Sequence, residues 1–285
     1  MTHVCPREFD FVIKKLREFF EQKGFLEVYV QNRLSILAAC EDPGTISKFE
    51  YGRYGEKLTW PLPQTGQMWL EDLLLKDPTL PGLFHVATSY RDEPNPVAGR
   101  HDVIFPLFEF ESPGNFEDMI QMEKELLTHL GFKGPFYENE YLDEAAKYEV
   151  KELEHEHEAK ACEENQGVAF WKNFPMYTSP FWNMRRNEDG QTAAKCDVML
   201  HGQETFGTAA RSNNPKEMEH EFRTISEGQY AQTLYDHFGR ERVDAELAEF
   251  MKHKFFPRFG GGIGLTRLIR ALKLEGLMPD FSIKQ

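Results

Sequence analysis

The chain has 285 residues, 40% of them hydrophobic, enough for one sizeable core at the upper end of single-domain size. Its formal charge is −14, the opposite sign to that of a dedicated nucleic-acid binder, whose phosphate contacts need Lys and Arg. Cys5, Cys40, Cys162 and Cys196 are scattered without a CxxC pair, which argues for reduced thiols over a disulfide frame or a zinc site. No apolar run is long enough to cross a bilayer and no signal core opens the chain, so the expectation is a soluble, cytoplasmic protein without a membrane partner.

Apolar residues at helical spacing predict a helix over residues 8–22, stopped by Gly24, and then a strand over 25–30. Residues 40–56, rich in Gly, Asp, Pro and Ser, read as a mobile loop. A short strand at 59–63 leads into a helix over 66–75. Residues 83–91 and 104–111 read as two strands joined by the polar turn 92–103. A helix over 116–130 follows, with Asn115 as N-cap, Asp118 three residues on and Gly131 as its stop. Residues 145–166 are charged and helical in character, with His155 and His157 on a solvated helix rather than at a metal. Strand-like stretches follow at 168–174, 180–186 and 195–201, with Trp182 on the second as core or pocket wall. Residues 255–262 then feed a helix over 264–274. No repeat or linker divides the chain, so a single domain is expected over 1–285. Hairpin-length connections with helices at the ends predict an α+β fold, an antiparallel sheet flanked by helices.

Three stretches carry chemistry. Tyr90-Arg91-Asp92-Glu93, Arg100-His101 and Phe105 lie on one strand–loop–strand unit, which gathers cationic and hydrogen-bonding groups suited to a polyphosphate, with Phe105 able to stack on a base. Glu109 and Glu111, two apart on the returning strand, share a sheet face and need a cation or ammonium partner. Taken alone, this unit reads first as a surface hairpin with salt bridges. Phe259-Gly260-Gly261-Gly262-Ile263-Gly264, before a helix holding Arg267 in its first turn, allows close backbone approach, but the spacing fits neither a phosphate loop nor a dinucleotide fingerprint. In the third stretch, Asp197 and His201 share a strand face, and Glu204 lies past the break at Gly202. A carboxylate there suits Mg²⁺, and Arg211 suits a substrate carboxylate or carboxamide.

In order, separation and residue type, the three stretches together resemble motifs 2 and 3 and the intervening metal strand of class II aminoacyl-tRNA synthetases. The resemblance is to the aspartyl/asparaginyl/lysyl subgroup and its non-tRNA relatives, the AMP-forming asparagine synthetases, and it covers residues 24–274. It implies the biotin-ligase-like catalytic fold, ATP as substrate and Mg²⁺ as cofactor. Arg91 then holds the α-phosphate, with Arg100 beside it. Glu93 lies on the adenine side, Phe105 stacks on adenine, His101 and Arg267 take the γ-phosphate, and Gly262 and Gly264 border the nucleotide. Glu204, supported by Asp197, holds the metal. Thr65-Gly66-Gln67 resembles the family's amino-acid element, so Thr65 and Gln67 join Glu109, Glu71 and Arg211 as amino-acid ligands.

The loop over 41–56 matches the subgroup's lid. Gln31 stands where the family's dimer strand ends in proline, and Leu70 where aspartate enzymes keep lysine. Glu71 is the asparaginyl-type residue, and it also reads as an ordinary helix-surface carboxylate. The implied activity is formation of an aminoacyl-adenylate from an aspartate- or asparagine-like amino acid, followed by transfer to ammonia or a small amine. The alternatives are a minimal tRNA-charging enzyme and a non-catalytic paralogue. A homodimer is implied, tRNA is disfavoured by the charge, and no anticodon-binding domain is expected.

Overall fold

The computed structural model describes residues 4–52, 55, 57–97, 99 and 102–281. Its helices are α1 (Pro6–Gln22), α2 (Gln67–Lys76), α3 (Phe116–Leu130), α4 (Tyr141–Lys147), α5 (His155–Glu164), α6 (Pro215–Thr224), α7 (Gln229–Phe238), α8 (Arg240–Phe250) and α9 (Leu265–Leu274). Its strands are β1 (Leu26–Glu27), β2 (Lys48–Tyr51), β3 (Leu58–Pro61), β4 (Leu83–Tyr90), β5 (Ile104–Pro113), β6 (Tyr137–Glu140), β7 (Val168–Pro175), β8 (Thr192–Leu200), β9 (Gln203–Ala210) and β10 (Arg258–Gly264). Eight of them form one sheet in the order β1-β4-β5-β10-β9-β8-β7-β6, antiparallel except for the parallel edge pairs β1/β4 and β6/β7. The predicted α+β architecture is therefore what forms, with parallel pairing confined to the two ends.

The alternation of side chains along the central strands divides the sheet into a packed face and a working face. Phe84, Phe108, Phe110, Phe206, Val198, Phe259 and Ile263 enter one apolar core under α1, α3 and α9. Phe20 of α1 sits at its middle, with ring centroids 4.9 to 5.8 Å from Phe25, Phe84, Phe108 and Phe110. Burying each such ring stabilises the fold by about 1.5–3 kcal/mol. The residues between them, His85, Glu109, Glu111, Lys195, Asp197, Gly207, Arg211, Gly260 and Gly262, belong to the opposite face, which α2 covers in part. A second core joins α2 to α6, α7 and α8.

Helix α3 starts and stops where expected. The Asn115 side chain accepts from Glu117 N and Asp118 N, the Asp118 carboxylate accepts from Asn115 N, and Gly131 closes the helix at φ 104°.

Several expectations change. The strand over 25–30 shrinks to two residues at the sheet edge. The stretch read as a loop over 40–56 is partly built. Asp42 caps the 3-10 turn Pro43–Thr45, the Gln64 side chain accepts from Glu41 N and Asp42 N, and β2 pairs with β3. The charged segment over 145–166 holds two helix portions rather than one helix, broken where Glu149 takes φ 57°. His157 is buried rather than solvated, because its Nδ1 accepts from Glu154 N at the start of α5.

Residues 180–186 make only the isolated bridges Met184–Arg211 and Arg186–Ala193, not a strand. Trp182 turns away from the sheet into the second core, edge-on to Phe222 and Phe250, so it packs there instead of lining a pocket. His201 does not share Asp197's face. It sits past the strand end at φ 49°, its Nε2 2.8 Å from Glu275 Oε2. The four cysteines are free thiols, as expected. Among the described residues, no helix is long and apolar enough to cross a membrane.

Candidate functional site

A cavity of about 380 Å³ opens on the working face of the sheet, a volume in the range of small-molecule sites. Its walls include Thr65, Gln67, Arg91, Glu93, Phe105, Glu109, Glu204, Arg211, Gly262, Gly264 and Arg267, residues from Thr65 to Arg267 along the chain. Of the remaining candidates, Asp197 lines an adjoining cavity, and Glu71 lies beneath the floor with no exposed surface. Arg100 and His101 lie outside the described residues.

One end of the cavity is built from β4, β5 and β10. Arg91 leaves the end of β4 and crosses to Glu41, its Nη2 donating over 2.7 Å to that carboxylate. Its buried Nε has no partner among the described residues. The Arg91 guanidinium carbon stands 5.9 Å from the ring centroid of half-buried Phe105 across the hairpin. Arg267, in the first turn of α9, donates to the Glu204 carbonyl over 2.6 Å and stands 3.9 Å from the Glu204 carboxylate.

Two glycines of β10 are required by contact. A Cβ on Gly260 would fall 1.9 Å from Glu111 Oε2, and one on Gly261 would fall 2.3 Å from the Gly207 carbonyl. Gly262 has room, its nearest neighbour being 3.7 Å away, so its bareness keeps the cavity open rather than the strand packed.

The other end is a lattice of buried charge. Arg211 donates through Nε and Nη2 to Glu111 and through Nη2 to Gln67 Oε1 over 2.7 Å, while Gln67 Nε2 donates to the Gly261 carbonyl over 2.6 Å. Glu71 accepts from Arg258 over 2.6 Å and from Asn183 over 2.5 Å, and lies 3.7 Å from Arg211. Two guanidinium groups thus face two carboxylates, and the floor is electrically balanced. Leu70 points into the second core, away from the cavity. Burial pushes the Glu111 carboxyl up to about 7, against the pull of Arg211 and with the help of Glu71.

Glu109 behaves oppositely. Burial pushes it up, but His85 at 2.8 Å, the Thr65 hydroxyl and the Gly66 N–H at the start of α2 outweigh that and hold it below the usual carboxylate range. Both its oxygens are therefore already engaged, and an ammonium group would share one of them.

The donor set at Glu204 suits a hard cation. A Cβ on Gly207 would stand 3.0 Å from Glu204 Oε1 and 3.7 Å from Asp197 Oδ1, so this glycine keeps the space between the two carboxylates clear. Lys195, on the same face of β8, donates to Asp197 Oδ2 over 2.7 Å and lines both cavities. Burial and the neighbouring Glu204 raise Asp197 to about 7, with Lys195 opposing. Mg²⁺ takes one or two carboxylates together with substrate phosphates, and Glu204 with Asp197 behind it meets that need.

Sequence reasoning missed His85, Lys195, Arg258 and Glu41 as site-building residues. The two-residue alternation of β4 and β8 put the first two on the working face and set Lys195 beside Asp197, but only the register, His85 opposite Glu109, brings His85 to its partner.

The chain matches the family model of class II tRNA synthetases (D, K and N) over residues 8–275. Its fold is similar to asparaginyl-tRNA synthetase from Pyrococcus horikoshii complexed with asparaginyl-adenylate, at a TM-score of 0.74 and 19% identity, covering 94% of this chain and 65% of that one. It is also similar to Entamoeba histolytica asparaginyl-tRNA synthetase in complex with asparaginyl-adenylate, at a TM-score of 0.71, 18% identity and coverages of 94% and 63%. A third is aspartyl tRNA synthetase from Entamoeba histolytica, at a TM-score of 0.67, 17% identity and coverages of 95% and 55%. The chain thus spans less than two thirds of the length of these structures. No curated protein sequence matches it significantly. With the match running from α1 to the end of α9, the chain belongs to the class II tRNA synthetases of the D, K and N group.

Proposed function

We propose that the chain activates an aspartate- or asparagine-like amino acid with ATP, forming an aminoacyl-adenylate and releasing pyrophosphate, and passes the acyl group to ammonia or a small amine. The observation that supports this best is the division of one cavity into two chemistries. Arg91, Phe105 and Arg267 present cations and a ring face at one end, and the Gln67–Arg211 lock presents a polar, size-limited floor at the other.

The amino-acid carboxylate attacks the α-phosphorus in line, and the bond to the pyrophosphate oxygen breaks. Arg91 is positioned to take the charge that builds on the α-phosphate oxygens, and Arg267 that of the leaving group. Glu204, with Asp197, would hold Mg²⁺, which supplies charge neutralisation across the phosphates. No side-chain nucleophile is required. The balanced floor favours an uncharged amide end, because a further carboxylate would leave net negative charge in a buried site.

The test is pyrophosphate exchange over an amino-acid panel without RNA, followed by product identification with ammonium, amines and tRNA. Exchange supported by no amino acid would refute activation. Transfer to tRNA is the second reading, favoured by the family match and by the synthetases of similar fold. It predicts aminoacylated RNA in the same assay.

A further inference from the structure

A second cavity of about 510 Å³ adjoins the first, and Glu41, Met184, Lys195 and Glu204 line both. Its far walls come from α4, α5, β7 and the segment around Ser179, with exposed Glu152 and Ser179 at its mouth. Resting on the reading that the main cavity forms an aminoacyl-adenylate, we infer that this side cavity is the acceptor subsite and takes an organic cation bearing a primary amine, of the diamine or polyamine class, rather than ammonia.

Size is the first argument. A molecule of ammonia is close to water, whose share of liquid volume is about 30 Å³, so a chamber of this size is far larger than ammonia needs. Charge is the second. Glu41, Asp42, Glu152, Glu158, Asp197 and Glu204 line it, and Lys195 is the one cationic residue among its described walls. Mg²⁺ on Glu204 and Asp197 would still leave Asp42, Glu152 and Glu158 facing the chamber, so an anionic acceptor is repelled and a cation drawn in.

The third argument is the surface itself. Tyr141, Trp171 and Phe174 add aromatic wall, and the Lys195 ammonium already rests 3.9 Å from the Phe174 ring centroid while bonding Asp197. An alkylammonium is the group such a ring and carboxylate accept. Asp197 is 7% exposed, and its Oδ1 has no hydrogen-bond partner among the described residues. That oxygen faces the Glu204 side assigned to Mg²⁺, so the distal ammonium of a diamine falls to Glu152 and Glu158.

The step balances without another reagent. The lone pair of the uncharged proximal amine forms a C–N bond to the acyl carbon. The C–O bond to phosphate then breaks with its electron pair, AMP leaves, and the proton shed by nitrogen passes to water at the cavity mouth.

The test is calorimetric titration of the full chain with 1,4-diaminobutane and with ammonium chloride at 0.15 M salt, a value on the order of physiological ionic strength. Wild type is compared with the double variant Glu152→Gln/Glu158→Gln and with Glu163→Gln as a surface control. Saturable diamine binding, weakened about tenfold in the double variant and unchanged in the control, is expected. In the presence of ATP and amino acid, mass spectrometry should find the diamine amide formed with at least about tenfold higher kcat/KM than the ammonium product. No saturable binding, equal binding by the double variant, or equal use of ammonium overturns the inference. Pyrophosphate exchange without amine reads the adenylating site separately. Exchange intact with no diamine bound overturns the subsite alone, and exchange absent overturns the activation reading together with the acceptor role.

Discussion

Arg91 and Arg211 look alike in the sequence and differ in what the fold leaves them to do. Among the described residues, Arg91 keeps a buried Nε without a partner and pairs with partly exposed Glu41, a tether it can exchange for phosphate. Arg91→Ala should lower amino-acid-dependent pyrophosphate exchange by about a hundredfold or more while leaving the melting temperature nearly unchanged. Full activity in that variant would place the nucleotide elsewhere.

Arg211 is held by Glu111 and Gln67, and its availability to substrate depends on the charge of Glu111. That carboxyl is raised to about 7, so above this pH the floor is balanced, and below it Glu111 is neutral and the floor carries a net positive charge. The asparagine-over-aspartate preference, measured as the ratio of exchange kcat/KM values, should therefore fall as pH drops from about 8 to about 6. A ratio independent of pH would remove Glu111 from substrate selection. Sequence patterning legibly placed Glu109 and Glu111 on one face, but not their opposite protonation behaviour. That difference comes from His85 and Arg211, which reach them only through cross-strand register.

Strand β10 shows how far composition alone carries an argument about an element. The glycine run was legible as a close approach, yet its three central glycines do different things. A methyl at Gly261 would strike the Gly207 backbone, which cannot rotate away, so Gly261→Ala should part β9 from β10 and destabilise the chain by about 1–3 kcal/mol. A methyl at Gly262 meets nothing closer than 3.7 Å and projects toward the cavity. Gly262→Ala should leave the thermal midpoint nearly unchanged and raise the KM for ATP, and equal destabilisation by both variants would contradict this division. Helices α1, α3 and α9 were readable because each buries one stripe on a single core. The segment over 180–186 was not, because Trp182 and Phe181 have strand-like composition but are claimed by α6, α7 and α8, elements the sequence reading passed over. Nothing local to Trp182 reveals that competition. It becomes visible only when the second core is assembled.

Over the whole molecule, the working face is carpeted with carboxylates that the packed face forces into low dielectric, and this ties stability to pH. Burial raises Glu111 and Asp197 on the working face to about 7 and, on the packed side of the sheet, Glu123 of α3 to about 8 despite the Thr208 hydroxyl bonding it. All three bind protons more tightly in the folded chain than in the unfolded one, where carboxylates titrate near 4. The folded state therefore holds extra protons between about pH 4.5 and 8, and stability must fall as pH rises through that window. Glu109, held below the ordinary range, acts in the opposite sense, but only at pH values under that range. The net charge of −14 adds self-repulsion of the same sign at alkaline pH.

In metal-free buffer, the thermal midpoint should decline steadily from about pH 6 to pH 8.5. Glu123→Gln should flatten the upper part of that slope, because it keeps an acceptor for Thr208 and removes the charge that burial penalises, and it should stabilise the chain most above pH 8. Calorimetric melts of both proteins at matched concentration across this range decide the matter. A wild-type midpoint that rises with pH, or a variant whose profile runs parallel to the wild type, would show that Glu123 does not couple folding to protons.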